Sequence, residues 1–225
     1  MTGTIPSAGL VAGGYLLTHR GDTPDVDGYL SASECVTCQF PGYWALSWTD
    51  VDIEERRALL AHWGADPARL PEIVAAATDA FESGTLAWPA VFTSLKAARR
   101  FARRNPVGHP TLTLVGIALP SACVGDFLGD GEDDGFTEAV ARGGALAPGA
   151  DAGWEILADD GGSFHSWHCH PDVEADVAHR HGIAAGPEGL LADRSDAEQV
   201  AAVYESDPGT EDVRWLPWLV RRYSI

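Results

Sequence analysis

Apolar residues recur along the chain in short stretches of strand length, separated by Gly, Pro, Asp and Ser, a pattern typical of β-strands joined by turns. The clearest stretch, 111–119, is rich in β-branched residues, which strands favour. Two later stretches flank Asp159-Asp160-Gly161-Gly162, a good hairpin turn. The predicted strands are Leu10–Thr18, 29–33, 43–49, 91–93, 111–119, 154–158, 164–169 and 213–223.

Other segments have the period of an amphipathic helix. Ile73, Val74, Ala77, Ala80 and Phe81 fall on one helical face, which predicts a helix over 70–83. An aspartate and a glycine bracket an earlier helix as N-terminal cap and C-terminal residue. The first predicted helix begins at Asp50 or Asp52 and ends at about residue 63, and the others are 70–83, 94–105, 136–142, 171–181 and 196–204.

These elements predict an α+β fold, with a mixed or antiparallel sheet and several short helices packed on it. The 225 residues suit a single domain spanning 1–225, because the parts on either side of any division hold few strands. The weakest point is the Gly-, Ala- and Pro-rich segment 143–153, where a domain boundary would fall if there were one.

The chain is strongly acidic, with 33 Asp and Glu against 15 Lys and Arg, a net charge of −18 and a pI near 4.6. This balance excludes a general nucleic-acid binder, because phosphate binding needs a surplus of Lys and Arg. An acidic surface keeps a protein soluble, and it also steers basic partners toward it.

Several features together indicate a soluble bacterial protein of the cytoplasm. Lys96 is the only lysine, and the abundance of Ala, Gly, Asp and Arg is typical of a GC-rich bacterial genome. No basic, apolar leader begins the chain, and no apolar run has the ~18 residues that a membrane span requires. Four Cys are too few for a disulfide scaffold.

One run of residues concentrates side chains that bind zinc. His165, His168, Cys169 and His170 lie within six positions, and imidazole and thiolate are zinc's preferred ligands. If the run is a strand, His168 and His170 share a face about 7 Å apart. With the closely spaced pair Cys35 and Cys38, they would form a Cys2His2 site. Alternatively, these side chains are ordinary core residues.

The same run permits a second kind of chemistry. Cys169, or Cys123 earlier in the sequence, would act as a thiol nucleophile if a neighbouring histidine activated it. No pattern in the sequence pairs a particular histidine with either cysteine.

A basic stripe follows the predicted helix 94–105. Five of the fifteen positive charges lie on it, opposite its apolar residues: Lys96, Arg99, Arg100, Arg103 and Arg104. The stripe would bind a phosphate or an acidic partner. Alternatively, it forms ion pairs with the protein's own carboxylates or is a solvated face.

The runs Phe164-His165-Ser166-Trp167-His168-Cys169, Gly189-Leu190-Leu191 and Trp215-Leu216-Pro217-Trp218 resemble a group of bacterial proteins. That group has a Phe-His-Ser-aromatic-x-Cys run before a Gly-Leu-Leu/Ile step and a terminal Trp/Tyr-Pro segment. The resemblance covers about a third of the chain. It implies a bacterial origin and no known activity, and it draws attention to His165 and Cys169.

A second resemblance is to ADP-ribosyltransferase-like folds. Leu16-Leu17-Thr18-His19-Arg20-Gly21 is similar to their first strand with its basic residue, and Val91-Phe92-Thr93-Ser94 to a later strand–helix step. The late Glu-x-Glu or Gln-x-Glu of that family does not occur here, so the catalytic acid that the resemblance implies has no counterpart.

The sequence therefore leaves three hypotheses. The first is a non-catalytic acidic binding module, of immunity or antitoxin type, for a basic protein partner. The second is a zinc-binding protein that uses Cys35, Cys38, His168 and His170. The third is a transferase-like or thiol enzyme with His19, Arg20, His165 or Cys169 at its centre.

Overall fold

The computed structural model describes residues 9–21, 27–33, 52–62, 64–87, 91–104, 112–130, 135–159 and 164–225. Its strands form one antiparallel sheet in the order β2-β3-β1-β4-β7-β5-β6. The strands are β1 (Leu10–Thr18), β2 (Leu86–Ala87), β3 (Val91–Phe92), β4 (Thr113–Pro120), β5 (Ala150–Asp159), β6 (Phe164–Ser166) and β7 (Trp215–Tyr223). With the helices below, this sheet confirms the predicted α+β class.

The helices in this part of the chain are short. They are α1 (Ile53–His62), α2 (Leu70–Glu82), α3 (Leu95–Arg104), α4 (Val124–Asp130), α5 (Gly135–Ala141), α6 (Pro171–His181) and α7 (Arg194–Tyr204). The side chain of Asp52 accepts a hydrogen bond from the Glu54 N–H at the start of α1. Gly182 ends α6 in the left-handed region, at φ 68°. No helix of the described residues is long and apolar enough to cross a membrane.

The alternation of side chains along the strands creates two cores, one on each face of the sheet. On the first face, Tyr15, Trp154 and Leu219 pack against residues of α1, α2, α3, α6 and α7. On the second face, Leu16, Leu157 and Trp218 pack against α4, α5 and residues 30–32. Among the described residues, helices therefore cover the first face of the sheet, and α4, α5 and residues 30–32 cover the second.

Glycine permits two close approaches that shape the sheet. At Gly14, beside an irregularity in the β1–β4 register, φ is +118° and an added Cβ would overlap the side chain of Val91. At Gly153, an added Cβ would lie 2.8 Å from the Leu191 carbonyl oxygen. This room lets Trp154 and Leu191 exchange two backbone hydrogen bonds of 2.8 Å, which dock residues 186–191 onto β5.

Some predicted elements differ from those observed. Residues 29–33 form no strand and instead line the second core, with the Leu30 N–H donating to the Glu188 carbonyl at 2.8 Å. The predicted strand 164–169 ends at Ser166, because its side chain accepts from the His168 N–H and begins a 3-10 turn, Trp167–Cys169. The predicted strand 43–49 lies outside the described residues.

Candidate functional site

A buried carboxyl group, Glu155, is the centre of a network of buried polar side chains that includes Ser31 and Ser166. Glu155 is fully buried on β5, between Trp154 and Ile156, which both face the first core. Its side chain therefore points to the opposite face, toward residues 31–33 and β6. There it accepts hydrogen bonds from the Ser31 hydroxyl, the Ala32 N–H at 2.8 Å and the Ser166 hydroxyl at 2.8 Å.

The two serines are oriented as donors by hydrogen bonds that they accept. The Ser31 oxygen accepts from the Ser33 N–H at 3.0 Å, and the Ser166 oxygen accepts from the His168 N–H at 3.4 Å. Their own hydrogens are therefore directed at Glu155. The Ser33 hydroxyl also donates to the Phe164 carbonyl at 2.6 Å. This set of bonds ties residues 31–33 to β5 and β6.

The environment of Glu155 disfavours its charged form. Burial raises the pKa of Glu155 and is the largest effect. The hydrogen bonds from Ser31, Ala32 and Ser166 and the charge of His168 act in the opposite direction, and the net pKa is raised. Glu155 is therefore a buried acid held by three donors inside the fold.

His168 extends the network toward the surface. The ring is buried, its Nε2 lies 2.7 Å from the Gly189 carbonyl oxygen and its Nδ1 lies 2.9 Å from the Glu174 carboxylate. A carbonyl oxygen only accepts, so Nε2 carries a hydrogen. The ring of Tyr29 packs on His168 with centroids 4.8 Å apart. Burial, and then the charge of Glu174, raise the pKa of Tyr29.

A second group of polar side chains lies just beyond the 3-10 turn. The Glu211 carboxylate is 2.7 Å from His170 Nε2 and 3.9 Å from His165 Nδ1. The His170 ring packs edge-on against Tyr204 and Trp215. His165 and His170 are therefore brought together around one carboxylate.

A surface cleft of about 430 Å³ opens beside this group. Its lining includes Cys169, His170 and the carboxylates of Asp172, Asp176 and Asp207. Cys169 is a partly exposed free thiol there, while Asp176 forms an ion pair with Arg180 at 2.7 Å. The cleft is thus rimmed mainly by negative charge.

The two-histidine face predicted for zinc is wrong in its geometry, because residues 167–169 form a 3-10 turn rather than a strand. Both ring nitrogens of His168 have protein partners, and His170 Nε2 contacts Glu211. No group of three or more His, Cys, Asp and Glu suits a metal ion within the described ranges. Cys35 and Cys38 lie outside those ranges, so the four-ligand zinc site stays a prediction.

The basic residue of the predicted transferase site is engaged in holding two loops together. Arg20 donates to the Glu188 carboxylate at 2.7 Å and to the Gly28 carbonyl at 2.9 Å, and Arg222 also contacts Glu188. Burial raises the pKa of Glu188, but the hydrogen bonds and charges of the two arginines outweigh it, and the net pKa is lowered. His19, the neighbouring candidate, is buried where β1 ends.

Of the two candidate thiols, Cys123 lies in acidic surroundings. Burial raises the pKa of the Cys123 thiol, and the charges of Glu198 and Asp126 raise it further, against the opposing effect of Arg194. A raised pKa disfavours the thiolate that a nucleophile needs. Cys169 lies instead in the cleft beside His170, while His165 stands on the other side of Glu211.

The predicted basic helix is α3. Lys96, Arg100 and Arg104 line a second cleft, of about 420 Å³, between α3 and α2. Arg99 instead donates to the Ser224 carbonyl at 2.8 Å. Arg103 is exposed on the same helix and does not line the cleft.

Sequence reasoning missed the residues that organise the buried network. The sequence does indicate the importance of Glu155, which is the charged residue within the apolar run 154–158. A charged residue on a buried strand requires hydrogen-bond or ionic partners. Glu174, Glu211 and Ser31 carried no comparable signal, since their partners lie far away in the sequence or at irregular positions.

Comparisons of the chain with models of protein families, with curated proteins and with solved structures found no match.

Proposed function

We propose that the protein is a non-catalytic binding module, of immunity or antitoxin type, whose acidic face receives a basic segment of a partner protein. The acidic face comprises residues 170–213, that is, α6, α7 and the loops that adjoin them. The proposal places this module in the bacterial cytoplasm, in accordance with the composition of the chain.

The observation that carries the proposal is the concentration of negative charge on this face. Residues 170–213 hold eleven carboxylates against two arginines, a net charge of −9, which is offset in part where Glu188 pairs with Arg20 and Arg222 and Glu205 pairs with Arg214. Both arginines already pair with carboxylates of their own helices, Arg180 with Asp176 and Arg194 with Glu198, each at 2.7 Å. A field of one sign attracts and orients a partner of the opposite sign.

The shape of the face fits this role. The cleft beside Cys169 is concave and takes carboxylates from α6 and from the loop after α7. A concave acidic site receives the guanidinium or ammonium group of a basic side chain, which makes charge-assisted hydrogen bonds. Asp172, exposed in the first turn of α6, stands at its rim.

The buried hydrogen bonds of His168 and Tyr204 hold α6 and α7 in place beneath the acidic face. His168 links the base of α6 to residue 189 through Glu174 and the Gly189 carbonyl, and Tyr204 of α7 donates to the Trp167 carbonyl at 2.8 Å. A preorganised surface loses little conformational entropy on binding, which favours affinity.

The test measures binding of a fluorescently labelled oligo-arginine peptide by fluorescence anisotropy at increasing salt concentration. Asp172→Lys reverses one charge at the cleft, and we expect it to weaken binding about tenfold at low salt. Glu55→Lys is the matched control, because Glu55 is also exposed in the first turn of a helix, α1, which contacts α2. The proposal fails if both variants weaken binding equally or if the wild-type protein does not bind the peptide.

A further inference from the structure

The cleft between α2 and α3 has an apolar floor. Phe92 and Phe101 line it, with their ring centroids 5.3 Å apart, together with Ala80 and Ala97. The cleft measures about 420 Å³, within the range typical of small-molecule sites. These apolar side chains can therefore pack against the apolar part of a small ligand.

One wall of the same cleft is basic. Lys96, Arg100 and Arg104 follow one another at intervals of four residues on α3, so they form a row with a spacing of about 6 Å along the helix axis. One carboxylate, Asp79 of α2, also lines the cleft. The lining thus holds three cations and one anion.

These cations differ from most others in the described part of the protein. Arg20, Arg180, Arg194, Arg214 and Arg221 each form an ion pair with a carboxylate. Within the described ranges, by contrast, no ion pair with a carboxylate is found for Lys96, Arg100 or Arg104. In a chain of net charge −18, this leaves a basic row beside an apolar floor, available to an anion.

The start of α3 adds to the positive potential. Ser94, which also lines the cleft, accepts a hydrogen bond from the Ala97 N–H at 3.2 Å and so caps the helix. The helix dipole is positive at this end. Lys96 stands within the same first turn.

We propose that the α2–α3 cleft binds a small organic anion that carries a dianionic group, such as a phosphate monoester, on an aromatic or aliphatic body. The phosphate contacts the row of Lys96, Arg100 and Arg104, and the body covers Phe92 and Phe101. Three cations against one carboxylate match the charge of a dianion. The ligand class is independent of the acidic face and its partner.

The test uses isothermal titration calorimetry with naphthyl phosphate as the probe. Naphthol, which lacks the phosphate, and inorganic phosphate, which lacks the apolar body, serve as the two comparison ligands. We expect naphthyl phosphate to bind with a stoichiometry of about one per chain and more tightly than either. Binding weakens as salt is added, because the cations are exposed.

Two variants locate the site, with one matched control. Arg100→Ala weakens binding about tenfold by removing one charge-assisted contact. Arg103→Ala, which removes an exposed arginine of the same helix outside the cleft, leaves binding unchanged. Ala97→Phe fills the floor, and it abolishes the advantage of naphthyl phosphate over inorganic phosphate.

Three results would overturn the proposal. The first is the absence of measurable binding of naphthyl phosphate to the wild-type chain. The second is an equal loss in Arg100→Ala and Arg103→Ala, which indicates diffuse attraction to the helix. The third is equally tight binding of naphthol or inorganic phosphate, which shows that the cleft does not combine the two features.

Discussion

Replacement of Glu155 by alanine tests whether the buried network holds the fold together. In the wild-type protein the carboxyl group accepts hydrogen bonds from the hydroxyls of Ser31 and Ser166 and from the Ala32 N–H. Glu155→Ala removes the acceptor and leaves three buried donors facing a cavity. Residues 31–33 then lose their main attachment to β5.

The expected cost follows from these contacts. Three lost hydrogen bonds cost about 3 kcal/mol at ~1 kcal/mol each. Removing the buried Cγ methylene adds roughly 0.8 kcal/mol. Burial disfavours the ionised form of Glu155, as its raised pKa in the folded state indicates. Removing this group therefore recovers part of the lost free energy of unfolding. We therefore expect the free energy of unfolding to fall by about 3 kcal/mol.

Urea unfolding followed by tryptophan fluorescence measures this change, since Trp154 and Trp167 flank the network in the sequence. Glu55→Ala, a truncation of an exposed glutamate on α1, is the control and should change stability by less than about 0.5 kcal/mol. A loss below about 1 kcal/mol in Glu155→Ala would refute the assignment of Glu155 as the acceptor that anchors residues 31–33.

Three further outcomes follow from the structure. Because the folded-state pKa of Glu155 is raised above its ordinary 4.5, the wild-type protein loses stability as pH rises from 4.5 to the folded-state pKa. Glu155→Gln lacks this ionisation, so urea unfolding should show that the variant gains stability relative to the wild type over that pH range. Thermal unfolding should show that Gly14→Ala destabilises the protein by about 2 kcal/mol or more, because φ of Gly14 is +118° and the new Cβ overlaps Val91. Gly129→Ala in α4 is the comparison: its new Cβ enters open space, so it should stabilise the protein by roughly 0.5–1 kcal/mol. Arg221→Ala should cost about 3–5 kcal/mol in chemical denaturation, because it leaves the buried carboxylate of Asp151 without the partner that now lies 2.6 Å away; a loss under about 1 kcal/mol would count against that pairing.

The regular elements with strong local patterns could be predicted from the sequence. Strand β1 has the predicted bounds, and the helix predicted over 70–83 is α2, because its apolar residues repeat with the helical period. The aromatic and apolar character of residues 213–223 also predicted a strand, which the structure shows as β7, although not its place between β4 and β5. Local side-chain patterns determine such elements whatever their neighbours are.

The elements that depend on distant partners could not be predicted. Residues 29–33 resemble a strand in composition, but Leu30 donates to Glu188 and Ala32 to Glu155, both more than a hundred positions later. The turn at 167–169 depends on one capping hydrogen bond, from the His168 N–H to the Ser166 side chain. The sequence of residues 164–169 is equally compatible with a continuous strand, so this bond could not be predicted. The candidate histidines were found, but their carboxylate partners Glu174 and Glu211 were not, because no periodicity joins them.

The charge of the chain was the most informative global signal, and the structure gives it a location. Five of the fifteen basic residues lie on α3, while half of the net negative charge lies in residues 170–213. The sequence predicted that the basic stripe either binds an anion, pairs internally or is solvated. For Lys96, Arg100 and Arg104, no internal carboxylate pair is found in the parts of the chain that the structure describes, which favours the first and third alternatives.

Amide hydrogen exchange measured by mass spectrometry, with and without the oligo-arginine peptide, tests the central proposal of an acidic binding face most directly. The proposal predicts slower exchange in peptides from α6, α7 and the loop after α7, with little change in α1, α2 and α3. Protection confined to α1–α3, or spread evenly over the chain at saturating peptide, would contradict the proposal that residues 170–213 receive a basic partner.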